Sequence, residues 1–387
     1  MPLSLGQGTG PLKGLKVVEL AGIGPGPHAC MLLADLGADV IRVDRPGGGA
    51  LAVVPNPEHD LLTRGRPSVA ANLKDPVARD TVLDLVAEAD VLVEGLRPGV
   101  TERLGLGPDE CLARNPRLVY GRMTGWGQHG PLAARAGHDV GYVAVAGALH
   151  GSGQDPTRPH FASNLVGDFG GGSTYLVIGI LAALLERGVS GRGQVVDAAI
   201  VDGTAHLNTM AAAMLAGGAL QERRAANALD GGLPYYDLYA TSDGEHMAVG
   251  ALEPQFFAEL VRVLELDESA PGQVDLDRYD DLRDLLTTTF ASRTRDEWTA
   301  AFEGTDACVA PVLRLSEAAD HPHLRERGVF VERDGVVQPA PAPRFSRTEP
   351  TLTMRPSRAG EHTRDALEAW GVADVDRLIA SGAFVQA

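Results

Sequence analysis

Four side chains in this sequence join acid–base chemistry to unusual local settings. His138 and Asp139 follow Gly137 in AGHDVGY, Asp168 stands among glycines in NLVGDFGGG, and Glu253 precedes Pro254 in GALEPQFF. A histidine can take or give a proton near neutral pH without a large pKa shift. A carboxylate set against it could do the opposite job on the other face of a substrate. Two bases flanking one carbon meet the requirement of a racemase or epimerase. Alternatively, Asp168 could attack an acyl group and carry it as an anhydride. Each residue also has a plain structural reading, Asp168 as the cap of the helix that follows it and the histidines as satisfied structural residues. Spacing alone leaves these readings open.

The element that must hold Asp168 is the stretch Asn164–Glu186, in which Gly167 and Gly170 to Gly172 feed the most apolar run of the chain, Tyr175 to Leu185. A run apolar on every side predicts a helix buried all round, with Asp168 near its backbone amides and positive end. Upstream, the strand Val17–Leu20, the turn AGIGPGPHA, a helix over Ala29–Leu36 and the strand Val40–Asp44 form a βαβ unit, which implies a parallel sheet. Gly22, Gly24 and Gly26 with Asp44 imitate a dinucleotide fingerprint. Pro25 and Pro27, however, remove backbone donors from the loop that would hold a pyrophosphate.

Further strands at Ser68–Leu73, Asp90–Glu94 and Arg117–Gly121 alternate with helices over Pro76–Ala89 and within Thr101–Asn115, so the first 125 residues predict a doubly wound α/β layer. The segment 47–66 reads as a mobile surface loop. The glycine-rich segment Met123–Leu149, with His129, His138 and Asp139, follows a strand, where α/β proteins place ligands. From Tyr235 the pattern changes to a hairpin through Val249, a helix entered at Glu253 and Pro254, helices over Leu282–Ser292 and Thr294–Glu303, and a strand at Cys308–Leu313. The expected division is a large domain over 1–205, a linker over 206–234, a small α+β domain over 235–327, and a segment over 328–387 that returns to the large domain.

The 387 residues are 44% apolar and 22% charged, as in ordinary globular proteins. A net charge of −17 disfavours nucleic acid as a partner. Cys30, Cys111 and Cys308 are sparse and match no metal-ligand spacing, which suits a reducing compartment. The start has no secretory pattern, and Tyr175 to Leu185 is shorter than the roughly 20 residues of a bilayer span, so a cytoplasmic protein without a membrane partner is expected. His321-Pro322-His323 makes no zinc site, and neither a P-loop nor a G-x-S-x-G elbow occurs. Arg42, Arg45, Arg64, Arg66 and Arg97 form a local positive excess that reads either as a solvated rim or as a phosphate site.

Seven segments taken together, VVELAGIGPGPHACMLLADLGADVIRVDRPG, RPGVTERLGLGP, RMTGWGQHGP, AGHDVGY, NLVGDFGGG, GRGQVVDAAIVDG and GALEPQFF, resemble the family III CoA-transferase superfamily, and within it the branch of racemases acting on 2-methylacyl-CoA thioesters. The resemblance runs in order along nearly the whole chain. It implies that coenzyme A, as part of the substrate and with no further cofactor, lies over the sheet in place of a dinucleotide. It implies His138 and Asp168 as the acid–base pair and Glu253 as the partner of the histidine; by analogy with other oxyanion holes, the backbone amide of Asp139 is the expected donor to the enolate oxygen. For coenzyme A it implies Arg45 of the DRP motif, the short strand Ala71, Asn72, Leu73 and Lys74, the segment Gly137 to Tyr142, and Arg97. The branch usually reads GHDINY where this chain has Gly141. The implied architecture is a large doubly wound (Rossmann-like) domain and a smaller α+β domain in an interlocked homodimer with shared active sites. The competing reading within the superfamily is a CoA-transferase with Asp168 as acyl-carrying nucleophile; a third is an acyl-CoA-binding protein without turnover.

Overall fold

A computed structural model describes residues 3–48 and 54–387. The chain divides into two compact units, one of residues 1–146, 162–207 and 323–387, the other of residues 147–161 and 208–322. The segment 147–161, which the sequence reading left in the large domain, clusters with the second unit.

In the first unit, strands β1 (Lys16–Leu20), β2 (Asp39–Asp44), β3 (Ser68–Ala71), β4 (Val91–Glu94), β5 (Val119–Thr124) and β6 (Gln194–Ala199) run parallel in the order β3-β2-β1-β4-β5-β6. Their neighbouring apolar residues divide between two cores, because successive side chains of a strand point to opposite faces. Val18, Ile41, Leu92 and Tyr120 enter one core with the helices Pro76–Ala87, Thr363–Ala369 and Val375–Ala380. Val17, Val40, Val91 and Val119 enter the other with the helices Pro25–Asp35 and Thr174–Ser190. Covering both faces is why these strands read as apolar runs without alternation. Each fully buried Val or Leu contributes about 1.5–3 kcal/mol.

The second unit holds an antiparallel sheet of β7 (Tyr236–Ala240), β8 (His246–Gly250) and β9 (Val309–Pro311), with the helices Pro254–Val263, Tyr279–Phe290 and Arg295–Phe302 packed around Phe257, Leu286, Phe290, Trp298 and Phe302. Trp298 Nε1 donates to the Phe290 carbonyl at 2.8 Å, satisfying the one polar atom of that buried ring. Arg224 ties the segment 147–161 to this unit by donating to the carbonyls of His150, Asp155 and Pro156, each at 2.7 Å. The C-terminal segment then rejoins the first unit through the hairpin β10 (Phe330–Arg333) and β11 (Val336–Pro339) and the short β12 (Phe384–Val385), which pairs antiparallel with β3 at the sheet edge.

Four expectations need correction. The one short helix expected within Thr101–Asn115 is two, Val100–Arg103 and Pro108–Arg114, parted at Gly105, whose φ of +71° a helix cannot hold. The glycines before the apolar helix form a π-helix, Leu165–Ser173, continuous with it and not a loop. The apolar helix is not buried all round: Leu176, Val177, Ile180 and Ala183 face the sheet, while Leu185 is 77% and Val189 91% exposed. A sheet covers one side of a helix, and no described residue covers the other. The combined run Leu165–Ser190 is long and apolar enough to cross a membrane by length and composition, yet its inner face is a core contact. The loop over 47–66 lies partly outside the described residues, at 49–53. Its later part is anchored, with short turns at Pro57–His59 and Leu61–Thr63 and with Arg64 and Arg66 buried.

Candidate active site

In a doubly wound sheet ligands bind outside the carboxyl ends of the strands, where the strand order reverses. Here that point lies between β1 and β4. The turn after β1 ends at Gly24 (φ +69°), and Pro25 starts the next helix. A Cβ on Gly24 would stand 3.3 Å from Asp168 Oδ2. The space that a dinucleotide phosphate would need at this turn therefore belongs to a carboxylate of the protein itself.

Asp168 is placed by glycine contacts. The π-helix lies so close to the helix Ile200–Leu207 that a Cβ on Gly203 would meet the Gly171 carbonyl oxygen at 1.8 Å, and one on Gly171 would meet Thr204 Oγ1 at 2.5 Å. Only hydrogen at both positions permits this approach. On its inner side Phe169 stacks on His28 (ring centroids 4.4 Å), whose Nδ1 is 2.6 Å from Ser173 Oγ. Burial, with Arg64 and Arg66 adding repulsion, lowers the His28 pKa to about 4, so the ring is a neutral packing element.

His138 is the N-cap of the helix Asp139–Val145, with extended φ and ψ of −137° and 168° and an exposed side chain. The next residue ties it to Asp168: Asp139 Oδ1 accepts the Asp168 backbone N–H at 2.7 Å. Asp168 Oδ2 accepts from Asn164 Nδ2 at 3.3 Å. Burial raises the Asp168 pKa above the usual carboxylate range, opposed by the Asn164 bond, reinforced by the Asp139 charge and opposed by His138. Tyr142 forms a floor, its ring packed edge-on to Trp126 at 4.8 Å and filling the room left by Gly125 and Gly137. Burial and the Asp168 charge raise the phenol pKa, against the pull of Arg97.

The structure thus brings Gly137, His138, Asp139, Tyr142 and Asp168 together. Arg45 follows β2, Asn72, Leu73 and Lys74 follow β3 with Ala71 as its last residue, and Arg97 follows β4. All stand along the same carboxyl edge, with Arg45, Asn72, Lys74 and Arg97 exposed. Gly141 lies in the first turn after His138, and a Cβ there would meet nothing within 4 Å. Glu253 belongs to the second unit, where it is the exposed N-cap of Pro254–Val263 near Cys308.

The arginine cluster divides. Arg42 bonds Asp44 at 2.7 Å, Arg64 bonds Asp35 at 2.6 Å, and Arg66 pairs with Glu19 at 3.2 Å, all three arginines buried. They are internal ion pairs, neither a rim nor a phosphate site; only Arg45 and Arg97 remain exposed. Asn164 and His28 escaped the sequence reading. Asn164 had a usable signal, four residues before Asp168 in a helical run; His28 had none, because Ser173 lies far along the chain. A separate cleft of about 410 Å³ is lined by Pro98, Glu102, Arg122, Gln128, His129 and Asp197, but its Arg122 is bonded to Glu94 and Glu102 and it contains none of the acid–base pair. Among the described residues no three His, Cys, Asp or Glu side chains converge as metal ligands.

A parallel sheet with a carboxylate and a histidine at its switch point, and arginines along the same edge, accords with one sequence family. Residues 12–363 match CoA-transferase family III, and the chain belongs to that family. It is 43% identical over 371 residues to mouse (Mus musculus) alpha-methylacyl-CoA racemase, covering 95% of each chain, and 42% identical over 368 residues to the human (Homo sapiens) racemase, covering 93% of each. Among solved structures it is similar to a CAIB/BAIF family protein from Brucella suis, with a TM-score of 0.82, 29% identity, and coverage of 94% of this chain and 100% of that one.

Proposed function

We propose that this chain is a racemase that interconverts (2R)- and (2S)-2-methylacyl-CoA thioesters. The observation that carries the reading is the joining of His138 to Asp168 through Asp139, in a chain similar to racemases over nearly its whole length. The thioester acidifies the α-hydrogen. In the S to R direction neutral His138 takes it as a proton, and the C–H electron pair moves into the enolate. Protonated Asp168 then gives its proton to the opposite face and becomes a carboxylate; the reverse reaction exchanges the roles. Burial supports the protonated form of Asp168. The Asp139 N–H, outside the ladder of its own helix, faces the developing oxyanion, a donor type worth about 3–4 kcal/mol.

Arg45, the segment Ala71 to Lys74, Gly137, Tyr142 and Arg97 hold the CoA portion, with the two arginines on its phosphates. Glu253 of the partner subunit orients His138 and stabilises its charged form. The protein works as an interlocked cytoplasmic homodimer and uses no cofactor; the apolar surface of Leu185 and Val189 supports a covered state. The test is incubation of the full-length protein with (2R)-2-methylacyl-CoA in heavy water, following α-deuterium and epimer content. Racemisation with deuterium uptake is expected. Acyl exchange onto a free acid, interrupted by hydroxylamine, would replace this reading with that of a transferase.

A further inference from the structure

We infer that the Asp139 side chain is a positioning residue that fixes the separation of the two proton-transfer bases, an inference that rests on the racemase reading above. Two bases that serve one carbon from opposite faces must keep a set distance, since an error of about 1 Å can cost about a hundredfold in rate. His138 and Asp168 come from different helices 30 residues apart in the chain, and their side chains share no hydrogen bond among the described residues. The link between their backbones is the Asp139 carboxylate. It begins one residue after His138 and ends on the Asp168 N–H at 2.7 Å. That N–H belongs to the opening of the π-helix, where helical amides lack partners within the helix.

The fit is enforced from the far side. Gly167 is buried, and a Cβ there would lie 2.2 Å from Asp139 Oδ1 and 2.9 Å from Val143 Cγ1. The carboxylate therefore occupies the room that every other residue at 167 would fill. A charge-assisted bond to a backbone amide is short and directional, so it fixes where the Asp168 main chain stands relative to the first turn of the His138 helix.

The experiment compares wild type, Asp139→Asn and Asp139→Ala as full-length proteins, recording epimer formation and α-deuterium uptake from (2S)-2-methylacyl-CoA in heavy water. With the spacing lost, His138 still removes the proton and returns a deuteron to the same face, giving exchange with retained configuration. Asp139→Ala is expected to lose about a hundredfold in racemisation and to lose less in exchange, so the ratio of exchange to racemisation rises. Asp139→Asn keeps an oxygen acceptor in place and should hold the wild-type ratio. If Asp139→Ala fails to fold, Gly167→Ala, which displaces the carboxylate, is read for the same rise. An unchanged ratio in the alanine variant, or an asparagine variant that matches it, overturns the inference while wild type still racemises. Wild type with neither exchange nor epimerisation overturns the racemase reading, and this inference with it.

Discussion

Replacing Gly203 by alanine should damage catalysis far more than folding, although Gly203 has no part in the chemistry. Its Cβ would stand 1.8 Å from the Gly171 carbonyl oxygen, whereas ordinary contact begins at 3.4 Å. Both partners are backbone, so no side chain can swing aside, and the helix Ile200–Leu207 and the π-helix must part by about 1.5 Å in a close-packed interior. Overpacking of this kind costs about 1–3 kcal/mol of stability. Asp168 rides on the same π-helix, three residues before Gly171, and a displacement of that size predicts a fall in kcat of about a hundredfold. KM for the acyl-CoA should change little, since Arg45 and Lys74 stand on other connections of the sheet. The assay is racemisation kinetics alongside thermal unfolding. Gly188→Ala is the control: it lies on the helix that continues from the π-helix, its Cβ would meet nothing within 4 Å, and it should gain about 1 kcal/mol with kcat unchanged. A Gly203→Ala protein with wild-type kcat, or an equal loss in the control, would refute the argument.

Asp168→Asn should fold normally, because the Asp139 bond goes to its backbone, and should lose at least about a thousandfold in racemisation, read by epimer content beside circular dichroism. Arg45→Ala should raise KM for the acyl-CoA about tenfold with kcat unchanged and weaken the dependence of KM on salt, measured by kinetics over a range of ionic strength. His28 gives a stability signal in acid. The unfolded chain binds its proton below about pH 6.5 and the folded protein only below about 4, so stability falls as pH drops through that window. His28→Asn should flatten this slope in urea titrations at stepped pH. For Asp168 the raised pKa means that the direction using its proton slows as pH rises through that pKa, visible as an alkaline limb in the S to R rate that the asparagine variant lacks.

The parallel sheet was legible because strands buried on both faces are mostly apolar, and VVEL, VIRV and VLVE each set three apolar residues beside one charged residue. The helix start at Pro254 and the hairpin at Ser242 to Gly244 were readable from local backbone chemistry, whereas the helix expected from Ala29 opens earlier, at Pro25. What failed was whatever depended on a distant partner. Arg42, Arg64 and Arg66 look like surface charge until Asp44, Asp35 and Glu19 are seen to receive them. The apolar helix showed its composition but not what would cover it. The π-helix escaped because glycines carry no periodicity, and the bond from Asp139 to Asp168 crosses a stretch of chain that no local pattern spans. The site residues were visible as types within motifs; the bond that relates them was not.

The carboxylate held against the Gly24 turn has a consequence for which molecules the crevice admits. Sheets of this strand order usually offer that turn to an incoming phosphate. Here the place is filled by a covalently tethered carboxyl group that dilution cannot remove, with or without its proton. Nicotinamide dinucleotides and free phosphate should therefore be poor competitors at this point, because the carboxyl group occupies the space their phosphate needs. The same residue thereby acts as a gatekeeper before any bond is broken, denying the turn to a phosphate.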